Sequence, residues 1–156
     1  MHFSFWTIGK TSSGEIQRWE EDFHKRIRSF TQFSSETIDA VKAFRDPEHL
    51  KQEEAKKVLS KLKPEDFLIL LDEKGKTFTS RAFATYIEKM MINSSSRRIV
   101  FLVGGAYGFH ASLYERANDQ ISLSSMTFSH QLIRPVFLEQ LYRAFTIINR
   151  HPYHND

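Results

Sequence analysis

Two uninterrupted apolar runs constrain the fold of this chain more than any other feature of its sequence. They are residues 67–71 (FLILL) and residues 99–103 (IVFLV), and neither alternates apolar with polar side chains. A strand with this pattern is covered on both faces, which is typical of the middle of a parallel sheet. A third apolar run, residues 2–8, ends at Gly9 and predicts the first strand.

Helical patterns lie between these strands. Five apolar side chains spaced 3, 4, 4 and 3 apart predict one face of a first helix: Ile16, Trp19, Phe23, Ile27 and Phe30. Residues 37–41 are predicted as a second strand, and residues 53–62 as a charged helix that ends before Pro64. Apolar residues recur at helical spacing in two later segments, residues 83–91 and about 133–149.

Strands that alternate with helices predict an α/β fold. We expect an open, mostly parallel sheet flanked by helices, in a single domain that spans residues 1–156. Ligands of such sheets bind beyond the carboxyl ends of the strands. The loops that follow Asp72 and Val103 are therefore the first candidates for a site.

The composition excludes several classes of protein. Cysteine is absent, which excludes a disulfide framework, a thiolate zinc site and a cysteine nucleophile. The first ten residues lack the basic region and the cleavage site of a signal peptide, and no stretch approaches the ~20 apolar residues of a membrane span. We expect a cytoplasmic protein that does not bind a membrane.

The distribution of positive charge is more informative than the net charge of +3. After Lys89 the basic side chains are arginines alone, at positions 97, 98, 116, 134, 143 and 150. A guanidinium offers a planar fork of donors that suits phosphate. The distribution favours a polyanionic partner, and arginines on solvated faces are the alternative.

The glycine-rich loop at residues 104–108 (GGAYG) follows a buried strand and precedes a helix. Glycines there let the backbone approach a ligand closely, and a tight turn without a ligand is the alternative. Residues 9–11 (GKT) imitate a phosphate loop, but Ser4 stands where that motif needs its first glycine. Asp72 lacks the acidic partners of a phospho-acceptor site. We reject an NTPase and a receiver domain.

Two histidines near the C-terminus, His151 and His154, have the types and spacing of half a metal site. A complete site needs further ligands, and the sequence offers neither cysteines nor a convergent pair of carboxylates. We predict no metal site.

Several segments, read together, resemble the RlmH family of ribosomal RNA large-subunit methyltransferases, which belongs to the knotted SPOUT class. The matching segments run in order along almost the whole chain: residues 9–10, 71–76 with 79–80, 101–108, 123–134, 138–144 and 153–154. The run at 123–134 (LSSMTFSHQLIR) is the most specific of them.

This resemblance implies a C-terminal deep trefoil knot that holds S-adenosylmethionine (SAM) between three loops. The cofactor-binding residues carried over by motif are Leu71, Gly104, Leu123, Ser124, Ser125, Met126, Thr127 and Phe128. The resemblance also implies a homodimer in which the tail of one subunit approaches the cofactor of the other.

The substrate that the resemblance implies is a pseudouridine in helix 69 of 23S rRNA, methylated at N3 on the assembled ribosome. Two alternatives stay open. The chain could methylate another RNA position with the same fold, or it could be a non-catalytic ribosome-binding module.

The proton on pseudouridine N3 must leave before or during methyl transfer, so a general base near neutral pKa would help. Histidine is the natural type. We predict His154 as this base, with His130 beside the cofactor loop as the alternative. Backbone amides that stabilise an oxyanion, with water taking the proton, are a further alternative.

Arginines of the last predicted helix complete the predicted site. Arg134, counted with the catalytic residues, and Arg143 lie nine positions apart, and we expect them to point in the same general direction and to contact phosphates or orient the target nucleotide. Lys10 is predicted to contact RNA from the first loop, and Tyr153 to stack on an unpaired base. The alternative for Arg143 is a salt bridge to Glu139, one turn earlier.

Overall fold

A computed structural model describes residues 1–96 and 98–156, so Arg97, counted among the arginines above, lies outside the described residues. Helices and strands alternate along the chain, as the sequence predicts. In chain order they are β1 (His2–Ile8), α1 (Gly14–Arg28), β2 (Gln32–Ile38), α2 (Pro47–Lys61), β3 (Phe67–Thr77), α3 (Ser80–Asn93), β4 (Arg98–Val103), α4 (Ala111–Arg116), β5 (Asp119–Ser122) and α5 (Ile133–Ile148).

The five strands form one parallel sheet in the order β2-β1-β4-β3-β5. The two apolar runs are neighbours in its middle, since Phe67 pairs with Ile99 and Leu71 with Val103. Side chains of these strands alternate between the two faces of the sheet, and both faces are covered. The predicted α/β class and parallel sheet are confirmed.

Each face of the sheet carries its own apolar core. Aromatic side chains dominate the core between the sheet and helices α1, α3 and α5, where the ring centroids of Phe101 and Phe137 are 4.8 Å apart. The smaller core lies under α2 and α4 and contains Trp6, Val58 and Leu113.

The helices begin where short polar side chains cap them. Ser13 accepts a hydrogen bond from the N–H of Ile16 at the start of α1, and Thr79 accepts one from Ala82 at the start of α3. Asp46 caps α2, and Pro47 occupies its first turn, where a missing N–H is tolerated.

Several predicted boundaries and faces are wrong. The second strand lies at Gln32–Ile38 and not at residues 37–41, and α2 begins six residues before the predicted position 53. Trp19 is 55% exposed and does not share the buried face of α1. The short strand β5 has only four residues and was not predicted.

Strand β5 pairs with β3 in an unusual way. Ile121 is the partner of both Leu71 and Lys76, so residues 72–75 bulge out of the ladder within β3. The loop predicted after Asp72 is therefore this bulge, and the strand continues to Thr77. A Cβ built on Gly75 would lie 2.6 Å from the backbone N of Ile121 and from the backbone C of Gln120. The backbone at Gly75 lies so close to the backbone of β5 that no side chain fits at position 75.

In the described part of the chain, no helix is long and apolar enough to cross a membrane.

Candidate active site

A cavity of about 850 Å³ opens at the carboxyl ends of β3, β4 and β5. Its walls include the three loops that the sequence resemblance selects, of which the first is the bulge within β3, together with residues of α2 and α4. Seven of the eight predicted cofactor-binding residues line it: Leu71, Gly104, Leu123, Ser124, Met126, Thr127 and Phe128. Ser125 is exposed and lies outside the lining.

The glycine-rich loop turns back on itself at the cavity wall. The N–H of Gly108 donates to the carbonyl oxygen of Gly105 at 3.2 Å, and Gly108 has φ +81°, a conformation that side chains rarely adopt. A Cβ at Gly104 would lie 3.2 Å from the ring of Phe109, which also lines the cavity. The backbone of Gly104 therefore faces a space already limited by an aromatic ring.

A buried carboxyl group lies directly behind this loop. Glu54 of α2 is 5% exposed, and its Oε2 would be 2.6 Å from a Cβ at Gly105. Burial raises the pKa of Glu54, and the nearby charge of Lys57 opposes the rise. No local sequence pattern indicates this contact, because the charge pattern that predicts α2 does not show what its residues pack against.

Polar contacts tie the other two loops together. The Thr127 hydroxyl donates to Glu73 at 3.1 Å, which joins the loop after β5 to the bulge at residues 72–75 of β3. The Tyr114 hydroxyl donates to the carboxylate of Asp72, and both residues line the cavity. Burial and the hydrogen bond to Asp72 raise the pKa of Tyr114, so its hydroxyl stays protonated. Tyr114 and Phe109 were both missed from the sequence.

His130 is the one predicted catalytic residue that lines the cavity in the described residues. Burial lowers its pKa, and the positive charge of Arg134 lowers it further. The imidazole is therefore neutral near pH 7 and free to accept a proton.

Arg134 does not reach the cavity or the solvent. Its side chain is fully buried, and its guanidinium donates to the carbonyl oxygens of Ile8, Gly9 and His130 at 3.0 Å each. A fourth hydrogen bond joins it to Thr11 Oγ1 at 3.1 Å. A direct contact with phosphate or with the target nucleotide does not fit this burial.

The prediction that Arg134 and Arg143 point the same way is wrong. Nine residues at about 100° each amount to about 900°, which places the two side chains on opposite sides of a helix. Arg134 contacts the loop after β1, whereas Arg143 contacts Glu139 and the C-terminal tail.

Arg143 organises that tail. It forms the alternative salt bridge to Glu139, at 2.5 Å, and donates to His154 Nδ1 at 3.1 Å. Its guanidinium lies 4.8 Å from the ring centroid of Tyr153, whose hydroxyl donates to Glu139 at 3.2 Å. His154 Nε2 faces Asp156, which is paired with Arg81. None of these tail residues lines the described cavity of its own chain.

Lys10 is exposed in the loop between β1 and α1, and it lies outside the cavity lining. Its carbonyl oxygen accepts a hydrogen bond from Gln131 at 3.3 Å. The two histidines considered for a metal site have separate partners: His151 packs edge-on against Phe30, and His154 lies between Arg143 and Asp156.

Comparison with known proteins gives one consistent result. The family model described as predicted SPOUT methyltransferase matches residues 1–154. A relative from Parabacteroides distasonis is 45% identical over 151 residues, with 96% of each chain covered. Relatives from Flavobacterium psychrophilum and Phocaeicola vulgatus are 43% and 42% identical, with 99% and 100% of both chains covered. All three are named ribosomal RNA large subunit methyltransferase H.

Proposed function

This chain belongs to the SPOUT methyltransferase family and is a ribosomal RNA large-subunit methyltransferase, and we propose that it transfers a methyl group from SAM to N3 of a pseudouridine in helix 69 of 23S rRNA. We further propose that the assembled ribosome is the substrate and the cytoplasm the location. The observation that carries the proposal is the convergence of the three loops on one cavity.

The residues of the cavity fit the proposed cofactor. A volume of about 850 Å³ lies within the usual range for small-molecule sites. Gly104 presents bare backbone to the cavity, and a side chain there would meet Phe109. SAM, when bound, supplies a methyl group on a positively charged sulfur.

The charges of the cavity suit a cationic ligand. Glu48, Asp72 and Glu73 contribute three carboxyl groups to the lining, against the two lysines Lys51 and Lys74. Tyr114 fixes the Asp72 carboxylate by its hydrogen bond. Opposite charge near a bound sulfonium favours binding, and more strongly as water leaves the site.

The family's knot is part of this proposal. A knot requires a loop through which the chain can pass. The pairing of Ile121 with both Leu71 and Lys76, and the close approach of Gly75 to the backbone of β5, fit a chain that passes tightly beside the bulge of β3 at the proposed knot.

The general base is proposed to be His154, with His130 as the alternative. His154 is held by Arg143 and Asp156 in the tail, outside the lining of its own cavity. It can serve only if the tail of one subunit reaches the cavity of its partner, and the homodimer is proposed on this ground. Apolar side chains at the cavity rim support the dimer, because Met126 is 78% exposed and Tyr107 54% exposed.

Contact with RNA is proposed for Lys10, Arg143 and Tyr153. The Arg143 side chain is 24% exposed and lies beside the Tyr153 ring, an arrangement that offers a phosphate contact and a stacking surface together. Arg134 is not proposed to contact RNA, because its guanidinium donates to residues of β1 and of the loop after it.

Two measurements test the assignment. Calorimetry with SAM measures donor binding, and absence of binding would favour a non-catalytic module. Mass spectrometry of 23S rRNA from a strain that lacks the gene tests the position, and N3-methylpseudouridine retained in helix 69 would remove the substrate assignment. A different lost methyl group would identify another RNA position.

A further inference from the structure

The loop between β1 and α1, residues 9–12, is held against the segment that carries His130. Gln131 makes two of the contacts: its side-chain N–H donates to the carbonyl oxygen of Lys10 at 3.3 Å, and its Oε1 accepts from the N–H of Ser12 at 2.9 Å. These bonds join residues 119 and 121 positions apart. One side-chain amide therefore binds the carbonyl oxygen of Lys10 and the N–H of Ser12, as a neighbouring strand would.

Arg134 fixes the same loop from beneath. It donates to the carbonyl oxygens of Ile8 and Gly9 and to the hydroxyl of Thr11. Thr11 in turn donates to Glu20 of α1 at 2.6 Å. The backbone around Lys10 is therefore attached on one side to the buried Arg134 and on the other to Gln131.

Two further hydrogen bonds hold the ends of the loop: the N–H of Gly9 donates to the carbonyl oxygen of Ile38 at 2.7 Å, and the side chain of Gln17 donates to the carbonyl oxygen of Thr11 at 2.5 Å. The carbonyl oxygen of Lys10 itself is held by Gln131. Gly9 has φ +77°, so the chain leaves β1 in a conformation that glycine favours, and residues 10–13 belong to no helix or strand. The Lys10 side chain is exposed, and a lysine is a flexible point charge. Where the ammonium group of Lys10 can reach is therefore set by where the backbone of the loop is held.

We propose that Gln131 is a positioning residue that fixes the backbone of Lys10 at a set distance from the methyl-donor cavity, so that the lysine meets a phosphate of the bound RNA without first ordering its loop. The same segment supplies His130 to the cavity wall and Gln131 to the loop, so the RNA contact and the donor site form one rigid unit. This inference rests on the proposed function in taking RNA as the substrate.

Ordering a loop at the moment of binding costs free energy that a preorganised loop has already lost. Loss of the Gln131 contacts therefore acts on substrate binding. It leaves the chemical step and the donor site unchanged, because Gln131 is absent from the cavity lining.

The test compares Gln131→Met, which keeps the length of the side chain and removes both hydrogen bonds, with wild-type protein. Gln32→Met is the matched control, because Gln32 is exposed at the amino end of β2, the end of the sheet opposite the cavity. We expect Gln131→Met to raise KM for ribosomes about fivefold, with kcat and the Kd for SAM within twofold of wild type. An unchanged KM, or a parallel loss of donor affinity, would overturn the proposal.

A double-mutant cycle shows whether Gln131 acts through Lys10. If it does, adding Gln131→Met to Lys10→Ala raises KM no further than Lys10→Ala alone. Additive effects would overturn the proposed route. A wild-type protein that binds SAM and ribosomes but transfers no methyl group would contradict the proposed function instead, and the same cycle measured on ribosome Kd would still decide the role of Gln131.

Discussion

Gly104 lies so close to Phe109 that a Cβ at position 104 would be 3.2 Å from two atoms of the phenyl ring. Phe109 is itself 7% exposed and packs in the core beneath α2 and α4. The ring has little room to withdraw, because core side chains are closely packed. A side chain at position 104 would therefore crowd the cavity and its wall together.

Gly104→Val should abolish measurable SAM binding while the protein stays folded. Overpacking a closely packed site typically costs about 1–3 kcal/mol, and the bound donor adds further atoms to the same space. Calorimetry measures the donor Kd and circular dichroism the fold. Gly14→Val is the control, since a Cβ at Gly14 would meet nothing within 4 Å. Unchanged affinity in Gly104→Val would contradict the site.

Gly75→Ala should destabilise the fold strongly. The new methyl group would lie 2.6 Å from backbone atoms of Gln120 and Ile121, and backbone cannot move aside as a flexible side chain can. We expect a loss of about 3 kcal/mol or more in the free energy of unfolding, at the upper end of overpacking costs. Urea denaturation measures it, with Gly14→Ala as control. Wild-type stability in Gly75→Ala would mean that the chain does not pass so tightly beside the bulge of β3.

Low pH should reduce the free energy of unfolding through protonation of Asp66. Burial raises the pKa of this carboxyl, but hydrogen bonds from Arg98, at 2.5 and 3.1 Å, and from the N–H of Lys63 outweigh burial and hold the pKa below its ordinary value. A lowered native pKa stabilises the fold above the unfolded pKa of about 4, and this stabilisation is lost as the pH falls through the native value.

Asp66→Asn tests this linkage. At pH 7 we expect the variant to lose about 2 kcal/mol of unfolding free energy, the scale of a hydrogen-bonded charged pair. The difference from wild type should shrink as the pH falls below about 4, because the wild-type carboxyl then becomes neutral as well. Denaturation curves at pH 7 and at acid pH measure both values, and a difference that does not change with pH would contradict the assignment.

Mixed dimers test whether the tail serves the partner's cavity. Gly104→Val removes a cavity but leaves its own tail intact, and His154→Ala removes the proposed base but leaves its own cavity intact. Each variant alone should be nearly inactive. If the tail acts across the dimer, random mixing should restore about a quarter of wild-type activity, because half of the dimers are mixed and each has one complete site. No recovery after verified subunit exchange would mean that His154 does not act in the partner's site.

The sequence predicted the elements whose pattern is independent of their neighbours. The runs at residues 67–71 and 99–103 form central strands because a strand buried on both faces leaves no polar position. Strand β5 could not be predicted, because Asp119 and Gln120 are polar and four residues are too few to show the alternation of apolar and polar side chains typical of a strand. It forms because β3 offers it a partner.

The strand pattern predicted the place of the site, at the carboxyl ends of the central strands, and the family motif predicted its residues. The motif placed seven of eight cofactor residues around one cavity. Tyr114 lines the same cavity, and Glu54 lies behind its glycine-rich loop, through tertiary contacts that no local pattern encodes. Arg134 shows the limit most clearly. An arginine on a helix is normally expected to face solvent, and its burial depends on carbonyl oxygens more than 120 positions earlier in the chain.

The central claim is tested most directly by incubating the purified wild-type protein with methyl-labelled SAM and ribosomes from a strain that lacks the gene, followed by mass spectrometry of the 23S rRNA. We predict one labelled methyl group per ribosome, on N3 of a pseudouridine in helix 69, and no label with the Gly104→Val variant. Label at another nucleotide, or none despite SAM binding, would contradict the account.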